Sequence, residues 1–163
     1  MCGIVGYIGW QKAQDVVMNG LEKLEYRGYD SSGIATIFNG QLKLSKYKGR
    51  LSVLSKHLEE DPHQGHVGIG HTRWATHGQP SDVNSHPHIN ESNSVAVIHN
   101  GIIENYRELK KELIDEGYIF KSQTDTEVVV HMIDKYLKTS VDILSAVNMA
   151  VSRLRGAYAL GII

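Results

Sequence analysis

The chain has one cysteine, and it is residue 2. Once Met1 is removed, Cys2 carries a thiol and a free α-amine on one Cα. Such an amine titrates near pH ~7.7–8.0 and a thiol near ~8.5, so around neutrality one can take a proton from the other. The thiolate is the competent nucleophile, and a base bonded to the nucleophile's own Cα cannot drift away from it. A lone cysteine in an apolar segment also has a plainer use, as a small buried hydrophobe.

An acyl-transfer site around Cys2 needs an oxyanion hole. Asn100-Gly101 offers a side-chain amide and a backbone N–H as neighbouring donors. The alternative is a hairpin turn. Asn39-Gly40 is the same dipeptide between polar strands and reads as turn only. A substrate carboxylate calls for a bidentate cation, and arginine suits that best. Arg73 ends a strand just before a long loop, where ligand contacts concentrate; its alternative is a surface ion pair. A substrate ammonium calls for a carboxylate such as Asp125, which otherwise complements a helix dipole. The histidines invite a metal, with His86-Pro87-His88 and His63-Gln64-Gly65-His66 as the nearest pairs. No carboxylate or cysteine at ligand spacing completes such a site. A Cys–His dyad would not explain a cysteine at position 2.

These residues need a scaffold. Residues 3–9 alternate glycine with Ile, Val and Tyr, a strand that something approaches closely. Residues 11–24 carry Ala13, Val16, Val17, Leu21 and Leu24 at helical spacing. A glycine-punctuated loop over 26–33 leads to strands at 34–38 and 42–47, joined by Asn39-Gly40 as a hairpin. A short helix at 51–58 and a strand at 67–74 follow. Residues 75–93 lose periodicity, and a loop that long in a compact domain is functional or mobile. A strand at 95–99 leads into Asn100-Gly101. A helix at 106–116 takes Asn105 as N-cap with Glu108 three residues on. Thr124-Asp125-Thr126-Glu127 reads as a second capping box, and a last helix covers 141–154. Hairpin-linked strands and helices without regular alternation predict an α+β fold with antiparallel sheet.

Composition narrows the function classes. A chain of 163 residues supports one domain with a real core. Seventeen basic against eighteen acidic residues give a net charge of −1, so nothing suggests nucleic acid or an anionic membrane as partner. One cysteine excludes an internal disulfide and fits a reducing cytoplasm. No apolar run reaches the ~18 residues of a membrane span, and the start lacks the basic region of a signal peptide. The chain stops on Ala157-Tyr158-Ala159-Leu160-Gly161-Ile162-Ile163, a strand-like apolar run. An unprotected hydrophobic edge is seldom a designed ending, so residues 1–163 are expected to be a domain incomplete at its C-terminal end.

The start Met-Cys-Gly-Ile-Val-Gly resembles the class II glutamine amidotransferases, whose nucleophile is an amino-terminal cysteine. Tyr26-Arg27-Gly28-Tyr29-Asp30-Ser31 and His71-Thr72-Arg73-Trp74-Ala75-Thr76-His77-Gly78 narrow the resemblance. So do His86-Pro87-His88, His99-Asn100-Gly101-Ile102-Ile103-Glu104-Asn105 and Ser122-Gln123-Thr124-Asp125-Thr126-Glu127. Together they are similar to the glutaminase domains of the glutamine–fructose-6-phosphate aminotransferase family. The resemblance implies an amino-terminal-nucleophile hydrolase fold, two stacked antiparallel sheets between helical layers. It implies that Cys2 attacks the side-chain amide of glutamine with its own α-amine as base, and that Asn100 and the Gly101 N–H hold the oxyanion. It further implies that Arg73 and Thr76, helped by Trp74 and His77, bind the substrate α-carboxylate. Asp125 and the Gly101 carbonyl would take the α-amino group, and the loop after Arg73 would close over the glutamine. No cofactor or metal is implied. Fructose 6-phosphate would enter only through isomerase domains absent from this chain, and the full-length protein is expected to be a homo-oligomer. An inert fragment, if Met1 is retained or the missing strands are essential, and the glutaminase domain of another class II amidotransferase are the competing readings.

Overall fold

In the computed structural model the described residues are 2–28, 30–75 and 78–163. Alternation along the strands decides the layering. In β1 (Gly3–Ile8), Ile4 packs inward with Ala35 and Ile69, while Val5 and Tyr7 point out toward Val17, Leu21 and Leu54. β2 (Ser31–Phe38) repeats this with Ala35 inward and Ile34 outward. A period of two turns successive side chains to opposite faces, so each strand feeds two cores. β3 (Gln41–Lys48) and β4 (Val67–Arg73) complete an antiparallel sheet of order β1-β4-β2-β3.

The second sheet has order β5-β6-β7, from β5 (His88–Ile89), β6 (Ala96–Gly101) and β7 (Tyr158–Ile162). Ala96 and Ile98 face the first sheet, while Val97 faces helices on the other side. α1 (Ala13–Leu24) and α2 (Leu51–Glu60) cover the outer face of the first sheet. α3 (Tyr106–Asp115), α4 (Thr126–Leu137) and α5 (Ile143–Arg153) cover the second. The result is four layers, helix–sheet–sheet–helix, as the α+β reading expects. Among the described residues no helix is long and apolar enough to cross a membrane.

The Asn39-Gly40 hairpin forms, with both residues in the left-handed region at φ 50° and 75°. Other local readings need correction. β2 starts at Ser31, inside the stretch read as loop, because Ser31 and Ser32 are buried against Arg73 and Thr72 of β4 rather than solvated. The stretch read as a structureless loop over 75–93 is pinned: residues 84–88 are buried and β5 lies within it. Asn105 precedes α3 but does not cap it; its side chain donates to Arg153 O at 2.9 Å and accepts from Arg155 N at 2.9 Å. The 124–127 box is not made either. α4 begins at Thr126, and Glu127 instead accepts from Lys121 N at 2.8 Å, Ser122 N at 2.7 Å and Ser122 Oγ at 2.6 Å. Partners outside the first helical turn outcompete the local cap because each side chain makes two or more hydrogen bonds there.

His63 shows how the first sheet uses a histidine for structure. Its Nδ1 is 3.1 Å from Thr36 Oγ1 and its Nε2 2.9 Å from Ser45 Oγ, bridging β2 and β3. Burial, with Lys43 adding to it, pushes its pKa down to about 4. The unfolded chain therefore binds the extra proton between about pH 6.5 and 4, and stability falls as pH falls through that window. Urea unfolding measured from pH 7 to 4.5 should show this decline, and His63→Gln should flatten it by up to about 1.4 kcal/mol per pH unit. An unchanged slope in the variant would refute the assignment.

Candidate active site

Register brings three strand ends to one corner. Gly3 of β1 and Ser32 of β2 both pair with Thr72 of β4, and Ser31 pairs with Arg73. The residue before β1 is Cys2, so its thiol lies beside the chain as it leaves β4. Trp74 N donates to Cys2 Sγ at 3.2 Å, and the thiol contacts Trp74 O at 3.5 Å. Across the interior, β6 ends in Asn100-Gly101, and Asn100 Nδ2 donates to Cys2 O at 3.1 Å. The dipeptide is the end of a strand and not a hairpin turn. Gly101 sits at φ 119°, and a Cβ there would lie 2.2 Å from Ala157 O, so only glycine fits.

A cavity of about 540 Å³ opens at this corner, lined among others by Cys2, Arg73, Trp74, Asn100, Gly101 and Asp125. These are six of the eight residues singled out from the sequence. The other two, Thr76 and His77, lie outside the described residues. Arg73 is buried and its Nη2 donates to Gly78 O at 3.1 Å. Burial pulls the guanidinium pKa down, and the charges of Asp30, Cys2 and Asp125 oppose that shift. Arginine keeps its charge under such a shift. Asp125 is held at the start of α4, where its Oδ2 accepts from Ile103 N at 2.9 Å and its Oδ1 stands 3.9 Å from His99 Nδ1. Trp74 is half exposed, with its backbone on the thiol.

Several residues of the corner carried no role in the sequence reading. Arg27, His86, His99 and Thr126 also line the cavity. Thr126 Oγ1 lies 2.8 Å from both His86 Nε2 and His99 Nδ1, and His71 Nε2 lies 2.9 Å from Asn100 Oδ1. The rings of His71 and His86 are 4.3 Å apart, and those of His86 and His88 4.9 Å. Burial, the largest cause in each case, pushes His71 down to about 4 and His86 and His88 well below their ordinary value. All three are neutral at pH 7. The histidines read as a possible metal pair thus pack as neutral rings, and no group of metal-ligating side chains gathers among the described residues. Asp30 was also missed as a support. It accepts from Ala75 N through Oδ2, and its own N–H donates to Arg73 O at 3.1 Å. The motif from Tyr26 to Ser31 was the available signal, but nothing local tells what it touches.

A thiol under one backbone N–H, a side-chain amide across from it, a buried cation and a carboxylate share one cavity. That set can bind a zwitterion and attack its far carbonyl. Residues 71–163 match the family described as glutamine amidotransferase domain. The chain belongs to this family. It is 56% identical over 163 residues to a glutamine–fructose-6-phosphate aminotransferase (isomerizing) of Clostridium perfringens, covering all of this chain and 26% of that one. To the enzyme of the same name from Pyrococcus horikoshii it is 52% identical over 160 residues, covering 98% of this chain and 27% of that one. The chain thus spans about a quarter of the length of these curated relatives. Among solved structures it is similar to a glutamine phosphoribosylpyrophosphate amidotransferase from B. subtilis complexed with ADP and GMP. The TM-score is 0.87 at 31% identity, over 99% of this chain and 35% of that one. The family resemblance read from the sequence is borne out, and the four layers are those of the amino-terminal-nucleophile fold it implied.

Gly28 gives this amidotransferase corner its close packing. Its backbone is extended, yet an added Cβ would stand 2.7 Å from Arg73 C and 3.0 Å from Trp74 N. Gly28→Ala must therefore displace the Arg73–Trp74 backbone, a strain costing about 1–3 kcal/mol. Urea denaturation should register that loss. Alkylation of Cys2, the only thiol, should change in rate as the Trp74 N–H shifts from its place 3.2 Å from Sγ. Wild-type stability and an unchanged alkylation rate would contradict it.

Proposed function

We propose that this chain is the glutaminase part of a glutamine-dependent amidotransferase. It hydrolyses the side-chain amide of L-glutamine to glutamate and ammonia. The ammonia passes to fructose 6-phosphate on isomerase domains outside these residues, giving glucosamine 6-phosphate. The reading rests on one observation above all: Cys2, Asn100, Arg73 and Asp125 line the same cavity. The identity to glutamine–fructose-6-phosphate aminotransferases favours that acceptor over the phosphoribosyl one, 56% against 31%. A single thiol used as nucleophile fits a reducing cytoplasm.

The chemistry follows from the chain's own groups. Removal of Met1 frees the α-amine of Cys2. The amine takes the thiol proton, directly or through one water, and the thiolate attacks the glutamine side-chain carbonyl carbon. The carbonyl oxygen becomes an oxyanion, facing the Asn100 amide and the Gly101 N–H. Preorganised donors aimed at such developing charge are commonly the largest catalytic contribution. As the tetrahedral centre collapses, the ammonium on Cys2 gives its proton to the leaving nitrogen, and ammonia departs. A γ-glutamyl thioester remains. Water, losing a proton to the same amine, then attacks the thioester and releases glutamate and the thiol. Arg73 and Thr76, with help from Trp74 and His77, bind the α-carboxylate. Asp125 and the Gly101 carbonyl bind the α-ammonium.

Three variants test the reading in Met1-processed protein by ammonia release from glutamine. Cys2→Ala should abolish release. Asn100→Ala should lower kcat by about 10²–10³ with KM less changed, as for loss of one oxyanion donor. Asp125→Asn should raise KM for glutamine more than it lowers kcat, since its contact is the same in ground and transition states. Ammonia release by Cys2→Ala at the wild-type rate would end the proposal.

A further inference from the structure

We propose that His71 is a positioning residue of this reaction: its Nε2–H fixes which end of the Asn100 amide is turned toward Cys2. The inference rests on the glutaminase reading above, since it assigns His71 a part in that chemistry.

An asparagine amide has a donor end and an acceptor end of nearly the same shape. Only its partners decide which end points where. At Asn100 one end lies 3.1 Å from Cys2 O and the other 2.9 Å from His71 Nε2. Cys2 O is a backbone carbonyl and can only accept, so Nδ2 must face it. That leaves Oδ1 for His71, whose Nε2 must then carry a hydrogen. A second carbonyl makes the same demand independently. His71 Nε2 also lies 3.0 Å from His99 O, which likewise only accepts. Two carbonyls, on residues 2 and 99, thus impose one tautomer on His71 and one orientation on Asn100.

The ring's surroundings favour that state. His71 is fully buried, and its Nδ1 has no hydrogen-bond partner among the described residues, as an unprotonated nitrogen in a dry site can tolerate better than an N–H. The His86 ring, 4.3 Å away and tilted, limits rotation of the imidazole. His71 sits on β4 between Ile4 of β1 and Gly33 of β2, while Asn100 is the next-to-last residue of β6, so the contact joins the two sheets. His71 does not line the cavity, and its action on the substrate passes through Asn100. With His71 lost, Cys2 O alone among the described residues would hold the amide. In the flipped state Oδ1 faces the thiolate and the developing oxyanion, and repels both.

The test is made on the full-length, Met1-processed protein. His71→Leu removes the donor, and His71→Gln keeps an N–H near the Nε2 position. His71→Leu should lower kcat for glutamine hydrolysis about 10- to 100-fold with KM within about twofold, less than the loss of the oxyanion donor itself. His71→Gln should restore kcat to within about threefold of wild type. In an Asn100→Ala background His71→Leu should have no further effect, because the two act through one group. Nitrogen-15 spectra of labelled histidine should show His71 as the neutral Nε2–H tautomer from pH 6 to 8. A wild-type kcat in His71→Leu, failure of Gln to rescue, or an Nδ1–H tautomer would overturn the inference. Should His71→Leu not fold, the tautomer and the Gln variant decide. If the wild-type protein releases no ammonia, the functional reading fails, and the tautomer alone still tests the amide orientation.

Discussion

One hydrogen bond, from Asn100 Nδ2 to Cys2 O, crosses between the two sheets at the corner the proposed reaction uses. It joins residues 98 positions apart, and everything that makes it possible is a matter of register. β1 must pair with β4 so that Gly3 meets Thr72, and β6 must pair with β7 so that Asn100 meets Ala159. Each register is held by alternation: Ile4, Ala35, Ile69 and Ile98 point into the seam between the sheets, and their neighbours point out to the helices. A slip of one residue would turn every one of these side chains to the wrong core. The same slip would carry Cys2 away from Trp74 and from Asn100. Packing and catalysis therefore draw on one constraint.

Charge in the cavity depends on that frame. A buried guanidinium is costly unless its surroundings repay the lost hydration. Here the repayment is distributed. The Gly78 carbonyl accepts from Arg73, and the charges of Asp30, Cys2 and Asp125 all favour the cation. Asp30 also takes the Ala75 N–H and donates its own N–H to Arg73 O, so it braces the backbone on either side of Trp74. The surrounding histidines add no charge, because burial keeps His71, His86 and His88 neutral. The cavity thus offers a zwitterion a cation at one point and a carboxylate at another, with neutral donors between.

What the sequence disclosed was what local rules govern. The Asn39-Gly40 hairpin was legible because two adjacent residues with positive φ suffice to build it. Helices α1, α2 and α5 were legible from apolar spacing to within a few residues of their ends. Five of the site residues, Cys2, Asn100, Gly101, Arg73 and Asp125, followed from chemistry, and they do gather at one cavity. Trp74 came only from the family motif. The failures have a common cause. Glu127 and Asn105 looked like helix caps, yet Glu127 serves donors five and six residues back, outside its helix, and Asn105 serves groups about fifty residues on. Residues 84–88 looked like an open loop because they are polar, yet they are buried through pairings such as His86 with Thr126 and His88 with Thr124. Polar residues buried by long-range partners leave no periodic trace in a sequence. His71 and Asp30 escaped for the same reason.

A chain terminus is ordinarily the least ordered part of a domain. A nucleophile placed there must borrow its precision from elsewhere. β1 is an edge strand, paired on one side only, with β4. That pairing runs over six residues and is continued at the site by the Thr72 side chain, whose Oγ1 accepts from Gly3 N at 3.2 Å. The outer face of β1 rests on α1, and its inner face on the second sheet. The last two constraints bear on Cys2 itself: Trp74 N on its sulfur and Asn100 Nδ2 on its carbonyl. Both come from groups that other contacts also hold: His71 holds Asn100, and Asp30 holds the backbone on either side of Trp74. In the proposed reaction, a base carried on Cys2 itself is therefore positioned by one strand in register and the few groups that meet it. This arrangement asks only that the groups meeting that strand, the Arg73–Trp74 backbone and the oriented Asn100 amide, be rigid in their own right.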